Sequence, residues 1–437
     1  MKCKILLLSC VLLAGCADKA EYTAEDNEYA RFVKVGEGFA KTSVNTSIFR
    51  QSPLVSDSAR QFVSFYDEQG MMVIAKRRRG EACWTLLKTP YKGNTRDAHR
   101  GISLGLDGAG TLHVAFDHHV SPMNYLCVDT AAAMTLGERV AMTGMAEERV
   151  TYPEFYTMPD GDLIFAYRSG TSGRGNMLLN RYSVENKRWT QLHENLVDGQ
   201  DQRNAYWQLY VDNRGAIHLS WVWRETGDVA TNHDLCYARS LDGGVSWERS
   251  DGTPYDLPIT METAEVAWEI PQNSDLINQT SMTADFDGHP YIATYWRDAQ
   301  SDVPQYRLVW HDGSEWKMSV VGHRTTPFSL SGRGTKMIPV SRPRVISDGE
   351  KAFYFFRDEE RGSVVSMATT ATLDSIQWEI CDITDFSVDA WEPTIDMTLW
   401  NREKKINLFV QRTHQGDGEK LSRNREKKSP VYILEIK

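Results

Sequence analysis

Cysteine is scarce in this 437-residue chain, and three of the seven fall within the first sixteen residues. The other four, Cys83, Cys127, Cys236 and Cys381, are widely spaced with no C-x-x-C pair, so neither a disulfide framework nor a zinc site is indicated. His233-x-x-Cys236 supplies half of a metal-ligand pattern without a second half, and no metal and no cofactor is expected. Long apolar runs are missing too. The one near the N-terminus is shorter than the roughly 20 residues a bilayer span requires. No stretch carries the sustained spacing of a long amphipathic helix. Basic residues are outnumbered, 49 Lys and Arg against 59 Asp and Glu, and they form no broad stripe, which makes nucleic acid a poor partner.

What is present begins with a leader. MKCKILLLSCVLLAGC has a basic end, a short apolar run and small residues before a cysteine, the pattern of an export signal over residues 1–16. Leu13-Ala14-Gly15-Cys16 resembles a bacterial lipobox, in which the cysteine is lipidated and becomes the mature N-terminus. Residues 17–28 read as a polar tether and residues 29–437 as the folded domain. The expectation is an exported monomer at the bacterial outer membrane, touching lipid only through an anchor on Cys16.

Strands rich in aromatic and β-branched residues recur after turn signals: QFVSFYDE from Gln61, LHVAFDHH from Leu112, LIFAYR from Leu163, IHLSWVWR from Ile217, YIATYWRD from Tyr291, AFYFFRD from Ala352 and INLFVQRTH from Ile406. A third strand follows each, such as MNYLCVD, NMLLNRY, HDLCYARS, QYRLVWHD and PVYILEIK. In five units a tryptophan opens a fourth: Trp84, Trp189, Trp247, Trp316 and Trp378. Four antiparallel strands per unit, repeated at roughly 50 to 75 residues, describe propeller blades. The expected fold is all-β, a seven-bladed β-propeller with four-stranded antiparallel blades. The last unit is one strand short, and residues 29 to 40 can supply it and close the ring without an exposed edge. Ser240-Leu-Asp242-Gly-Gly244-Val-Ser-Trp247 fits the Asp-box turn, a structural feature whose aspartate binds turn backbone and whose tryptophan packs between blades.

The densest chemistry lies in ISLGLDGAGTLHVAFDHH, residues 102 to 119, read as one hairpin turning near Ala109. Antiparallel pairing about that turn sets His99 opposite His119, so two imidazoles meet at the open end. The same arithmetic, with turns near Asp160-Gly161 and Asn213-Arg214, places Tyr152 close to Arg168 and Arg203 opposite Arg224, with Tyr206 near them. Ends of equivalent strands share one face of the ring, so an acidic chain gathers arginines at one mouth. Arginine forks read carboxylate or sulfate, and aromatic faces stack on sugar rings. Arg203, Trp223, Arg224, His233 and Arg297 are therefore candidate substrate-binding residues. For Arg297 and Arg357, each followed by Asp, mutual neutralisation is the competing account.

At these residues the sequence resembles the BNR-repeat seven-bladed propellers that include the ulvan lyases and relatives acting on rhamnose-uronate glycans. The stretches that carry the resemblance are NTSIFRQSPLV, KGNTRDAHRGISLGLD, LHVAFDHHVSPMNY, TYPEF, YRSGTSGRGN, NRY, RNAY, HLSWVWRET and TNHDLCYARS, within about residues 40 to 240. The resemblance implies a polysaccharide lyase acting by β-elimination on an anionic, uronate-containing glycan. By position it assigns catalysis to His99, His119, Tyr152, Arg168 and Tyr206. One branch of the superfamily implies instead a rhamnosidase with a histidine near the first blade on the opposite face, where Gln51 stands here. A non-catalytic glycan-binding propeller is the third class.

Overall fold

The computed structural model describes residues 24–437 apart from 48–51, 131–133, 279–280, 373–376, 419 and 422–425. The leader with Cys16, the start of the tether, and Gln51 lie outside the described residues. Seven antiparallel sheets follow one another around a ring. Blade 1 is Leu54–Ser56, Arg60–Tyr66, Met71–Arg78 and Thr85–Lys92, and blade 2 is Ile102–Leu106, Leu112–Phe116, Tyr125–Asp129 and Thr135–Leu136. Blade 3 is Val150–Thr157, Leu163–Thr171, Arg174–Ser183 and Arg188–His193, and blade 4 is Asn204–Val211, Ile217–Arg224, Asn232–Ser240 and Glu265–Trp268. Blade 5 is Ser281–Ala284, Pro290–Trp296, Gln305–His311 and Trp316–Val320, and blade 6 is Arg344–Ser347, Ala352–Phe356, Ser366–Thr370 and Trp378–Asp382. Blade 7 is Thr394–Ile395, Asn407–Gln411, Lys428–Ile436 and, from the other end of the chain, Ala30–Phe39.

Ala30–Phe39 runs against Lys428–Ile436 from Ala30↔Ile436 to Phe39↔Lys428, which closes the ring as the sequence predicts. Each second strand is one of the seven aromatic runs, almost wholly buried because both of its faces meet a neighbouring blade. Trp247 departs from expectation. The outer strand of blade 4 is Glu265–Trp268, and Trp247 stays inside the Asp-box turn, where it is 1% exposed among Met177 and Leu179 of blade 3 and Leu219 and Trp221 of blade 4. Asp242 accepts the backbone N–H groups of Val245 and Ser246, the role its motif implies.

The inner-to-second-strand turns lie on the face opposite the mouth and share one device. Asp107, Asp212 and Asp285 each accept turn N–H groups and hold a histidine, His113, His218 or His289. Recurrence in three blades marks these Asp–His pairs as scaffolding. The mouth receives the starts of the inner strands, the ends of the second strands and the connections between blades.

One strand breaks the repeat. After Phe116 the chain leaves blade 2, and His119–Ser121 adds to the inner strand of blade 3, pairing Thr151↔His119 and Val150↔Ser121. The predicted hairpin therefore ends at Ile102↔Phe116, and His99 and His119 are not ladder partners. The crossing is sharp: Asp117 and Val120 have φ of 62° and 50°. A β-branched residue rarely adopts that left-handed conformation.

Candidate active site

The crossing strand brings His119 over His99, which arrives on the connection between blades 1 and 2. The two rings stack with centroids 4.2 Å apart and planes 19° from parallel. Asp97 holds both, through Oδ1 to His99 Nδ1 at 2.9 Å and through Oδ2 to His119 Nδ1 at 2.6 Å. Burial alone would raise the Asp97 carboxyl, but the hydrogen bonds from His119 and His99 outweigh it and hold it well below the usual carboxylate range. An ionised Asp97 accepts only, so each imidazole carries its proton on Nδ1, an assignment from the hydrogen-bond pattern. His119, its side chain 30% exposed, thus turns a lone pair on Nε2 to the cleft. Burial, aided by His119 and Arg168 and opposed by Asp97, pushes His99 down to about 4 and leaves it neutral near pH 7. Arg100 braces the pair, reaching the carbonyls of Asp117 and His119 and lying 3.4 Å from Asp97 Oδ2.

Ligand atoms of Asp97, His99 and His119 lie within 4.8 Å of one another, a spacing a metal ion could use. Both Nδ1 atoms face carboxylate oxygens at hydrogen-bond distance, so a metal using those nitrogens would have to displace those bonds.

Tyr152 stands beside the histidines, its ring 5.9 Å from that of His99. It occupies a bulge between Thr151 and Glu154 with φ of 57°, a strained conformation for an aromatic residue. Burial, with Tyr206 beside it, pushes its phenol up, so Tyr152 is protonated. Arg168, opposite Thr151 in the ladder, lies with its guanidinium carbon 5.0 Å from the centre of the Tyr152 ring. Its Nε and Nη1 are buried without a hydrogen-bond partner among the described residues. A Cβ on Gly175 would stand 2.7 Å from Arg168 Cδ, so that glycine makes room for the arginine. Tyr206 packs 6.1 Å from Tyr152, bonds Ser172 at 2.9 Å and lies under the Arg224 guanidinium at 5.3 Å. Burial alone would raise Tyr206, but Arg168 and Arg224 outweigh it and lower it. The same two arginines also act to lower Tyr152, but there burial and Tyr206 outweigh them, so of the two phenols Tyr206 is the one eased toward ionisation.

These six predicted residues, His99, His119, Tyr152, Arg168, Tyr206 and Arg224, line one cleft of about 360 Å³. Four predicted binding residues do not. Arg203 is one residue out of the expected register: Asn204 opposes Arg224, and Arg203 pairs with Glu225 at 2.8 Å. His233 is held between Glu225 and Asp234. Trp223 is 1% exposed and packs edge-on against Trp221 in the core. Arg297 is tied to Asp275 at 2.9 Å, away from this cleft. Sequence reasoning missed Asp97, although its spacing of two from His99 in DAH was visible. It also missed Asn278, Arg333, Lys336 and Arg342, which line the cleft from irregular connections without any period to read. None of the described residues lining the cleft is Asp or Glu.

Comparison with known proteins finds similarity in sequence and in fold. The chain is 28% identical over 141 residues to the short isoform of ulvan lyase from Alteromonas sp. (strain LOR), and 30% identical over 123 residues to a long isoform from Alteromonas sp.. These stretches are 28% and 25% of this chain, and only 26% and 12% of those relatives. Among solved structures, the polysaccharide lyase Uly1 superposes with a TM-score of 0.68 at 13% identity, over 93% of this chain and 99% of that one. An ulvan lyase bound to -[GlcA(1-4)Rha3S]- superposes at 0.66 and 14%, over 92% and 96%. At such identities the likeness is one of fold. The BNR repeat-containing family matches residues 60–324, from blade 1 through blade 5 and including His99, His119, Tyr152, Arg168 and Tyr206, and the chain belongs to that family.

Proposed function

We propose that this chain is a polysaccharide lyase that cleaves uronate-containing, ulvan-like glycans by β-elimination. The observation that carries the reading is Arg168, a buried guanidinium with no counter-ion among the described residues, set beside two imidazoles and two phenols in a cleft whose described lining holds no carboxylate. A uronate carboxylate supplies the missing anion, and its neutralisation makes the C5 proton acidic. His119 Nε2 takes that proton. The C5–H electron pair becomes the C4=C5 double bond, the C4–O bond breaks, and the leaving oxygen takes the phenolic proton of Tyr152. Burial keeps Tyr152 in the form this step requires, which favours it as acid over base. Neutral His99 and Tyr206 flank the carboxylate, and Asp97 fixes the tautomer of both histidines.

The relatives support the substrate class, being named ulvan lyases, one of them bound to a glucuronate-rhamnose sulfate glycan. A glycoside hydrolase requires two carboxylates about the scissile bond, and this cleft presents none among its described residues. For a rhamnosidase site on the opposite face, the amide of Gln51 could neither give nor take the proton. The leader sequence supports export and lipidation at Cys16. Palmitate labelling that disappears in Cys16→Ser tests that part.

Incubation with ulvan, followed by ultraviolet absorbance, tests the reaction. Absorbance of a new C4=C5 double bond is expected. New reducing ends without absorbance would mean a hydrolase, and retention of the glycan without cleavage would mean a binding module.

A further inference from the structure

Two cations of the cleft, Arg333 and Lys336, belong to no blade. They ride on the connection between Trp316–Val320 of blade 5 and Arg344–Ser347 of blade 6, which lies across the mouth. On one side Gly332 bonds blade 4, its N–H to Asp228 Oδ1 at 2.6 Å and its carbonyl from Val229 N at 2.9 Å. Three residues on, the Thr335 carbonyl accepts the N–H of Gly418 in blade 7 at 2.8 Å. The strap is therefore pinned at both sides. Beyond it the mouth continues into a second cleft of about 220 Å³, which shares Lys336 and Arg342 with the first.

The charges along this path differ in availability. Arg342 is neutralised by both oxygens of Glu392 at 2.9 Å, and Arg224 is held by the carbonyls of Gly227 and Gly332. Arg333 has no ion pair among the described residues. Lys336 meets Asp417 at 3.4 Å, and that carboxylate is itself 65% exposed. Arg333 is nonetheless placed: a Cβ on Gly227 would collide with its guanidinium. Gly227 has no left-handed backbone that would demand glycine, so the missing side chain serves the arginine.

We propose that Arg333 and Lys336 read a sulfate ester on the sugar next to the uronate, on the strap side of the cleft. The placement rests on the lyase reading, which assigns the carboxylate to Arg168. A planar carboxylate is satisfied by one arginine fork, whereas a sulfate ester presents three oxygens that a fork and an ammonium share. Gly227 is a positioning residue for that fork.

The test compares ulvan with chemically desulfated ulvan for wild type, Arg333→Ala, Lys336→Ala and Gly227→Ala. Initial rates of double-bond formation separate KM from kcat, and affinity electrophoresis through gels containing each glycan reads binding without turnover. On ulvan, Arg333→Ala should raise KM about ten-fold, the scale of one charge-assisted contact, with the loss falling on KM and not on kcat. Lys336→Ala should lose less, and Gly227→Ala should move the same way although no charge is removed. On the desulfated glycan all four proteins should converge. An equal loss on both glycans would assign Arg333 to a second carboxylate or to the scaffold, and no loss on either would remove the strap from recognition; both overturn the proposal. If wild type forms no double bond, the lyase reading fails, and sulfate-dependent retardation in the gels still decides the role of the strap.

Discussion

The mouth has two halves built from the same residue types and put to different ends. In blades 5 to 7 the arginines are answered from within the protein: Arg297 by Asp275, Arg307 by Asp298, Arg324 by Asp358 and Arg342 by Glu392. Arg357 has backbone carbonyls instead, among them Val340 at 2.8 Å and Trp391 at 3.2 Å. In blades 2 to 4, Arg168 has aromatic rings and, among the described residues, no anion around it. Arg203 and Arg100 are paired on that side, Arg203 with Glu225, which removes it from the cleft, and Arg100 with Asp97 and Asp117. An arginine at a strand end is therefore informative only when its counter-ion is missing. A buried cation without one is costly unless a ligand supplies the anion.

His119→Ala and Tyr152→Phe should each slow double-bond formation by about 10² to 10⁴ in single turnover while still binding glycan. Ordinary rates in both would move the chemistry away from blades 2 and 3. Arg168→Lys should cost about 10² to 10³ in kcat/KM although the charge is kept, since the planar fork and its placement are lost. Gly175→Ala, which crowds the Arg168 stem, should lower kcat/KM by roughly ten-fold, with circular dichroism and the melting temperature nearly unchanged.

Acid should separate the halves. His99 sits near 4 in the folded chain and near 6.5 when unfolded, so the unfolded state binds the proton first as pH falls. Its stability contribution, complete above about 6.5, is lost toward pH 4 and is on the order of 3 kcal/mol. In the paired half, burial alone would raise Asp389, but His414 outweighs it and lowers it, so that contribution survives until pH falls below the ordinary carboxylate range. Hydrogen exchange at pH 5 should accelerate first in residues 119–121 and 150–157, and in 389–415 only in stronger acid. Simultaneous acceleration would dissolve the distinction. The smallest effect on activity belongs to Arg297→Ala, which should leave turnover within about two-fold and cost about 1 kcal/mol by denaturant melting, as a partly exposed pair does.

The fold was legible because strand period and turn chemistry repeat seven times, and because the closing strand continues the same pattern. The cleft residues that the sequence brought together, among them Tyr152, Arg168, Tyr206 and Arg224, sit within ladders, although Trp223 and His233 do too and lie outside the cleft. The hairpin turn at Ala109 gives the correct register for Ile102↔Phe116, and extrapolating it brought the two histidines together although they meet by stacking. One residue of error about Arg214 sufficed to misplace Arg203, since neighbours on a strand point to opposite faces. The strap and Asp97 were opaque for a different reason: they lie on connections whose shape is set by contacts remote in sequence, such as Gly332 with Asp228 and Thr335 with Gly418.

The crossing of His119–Ser121 into blade 3 also bears on how such a ring can change over generations. Repeat architectures grow and shrink by copying or deleting a unit, because each unit contacts only its neighbours. Here Val120 N bonds the Thr151 hydroxyl at 2.8 Å and Arg168 stands across from Thr151, so the second and third units are one heritable piece. A unit inserted between them would carry His119 away from Tyr152. Among the described residues no other blade lends a strand to its neighbour, so this junction is the one tied by a shared ladder, while the strap ties blades 4 and 7 to the blade 5–6 connection by hydrogen bonds.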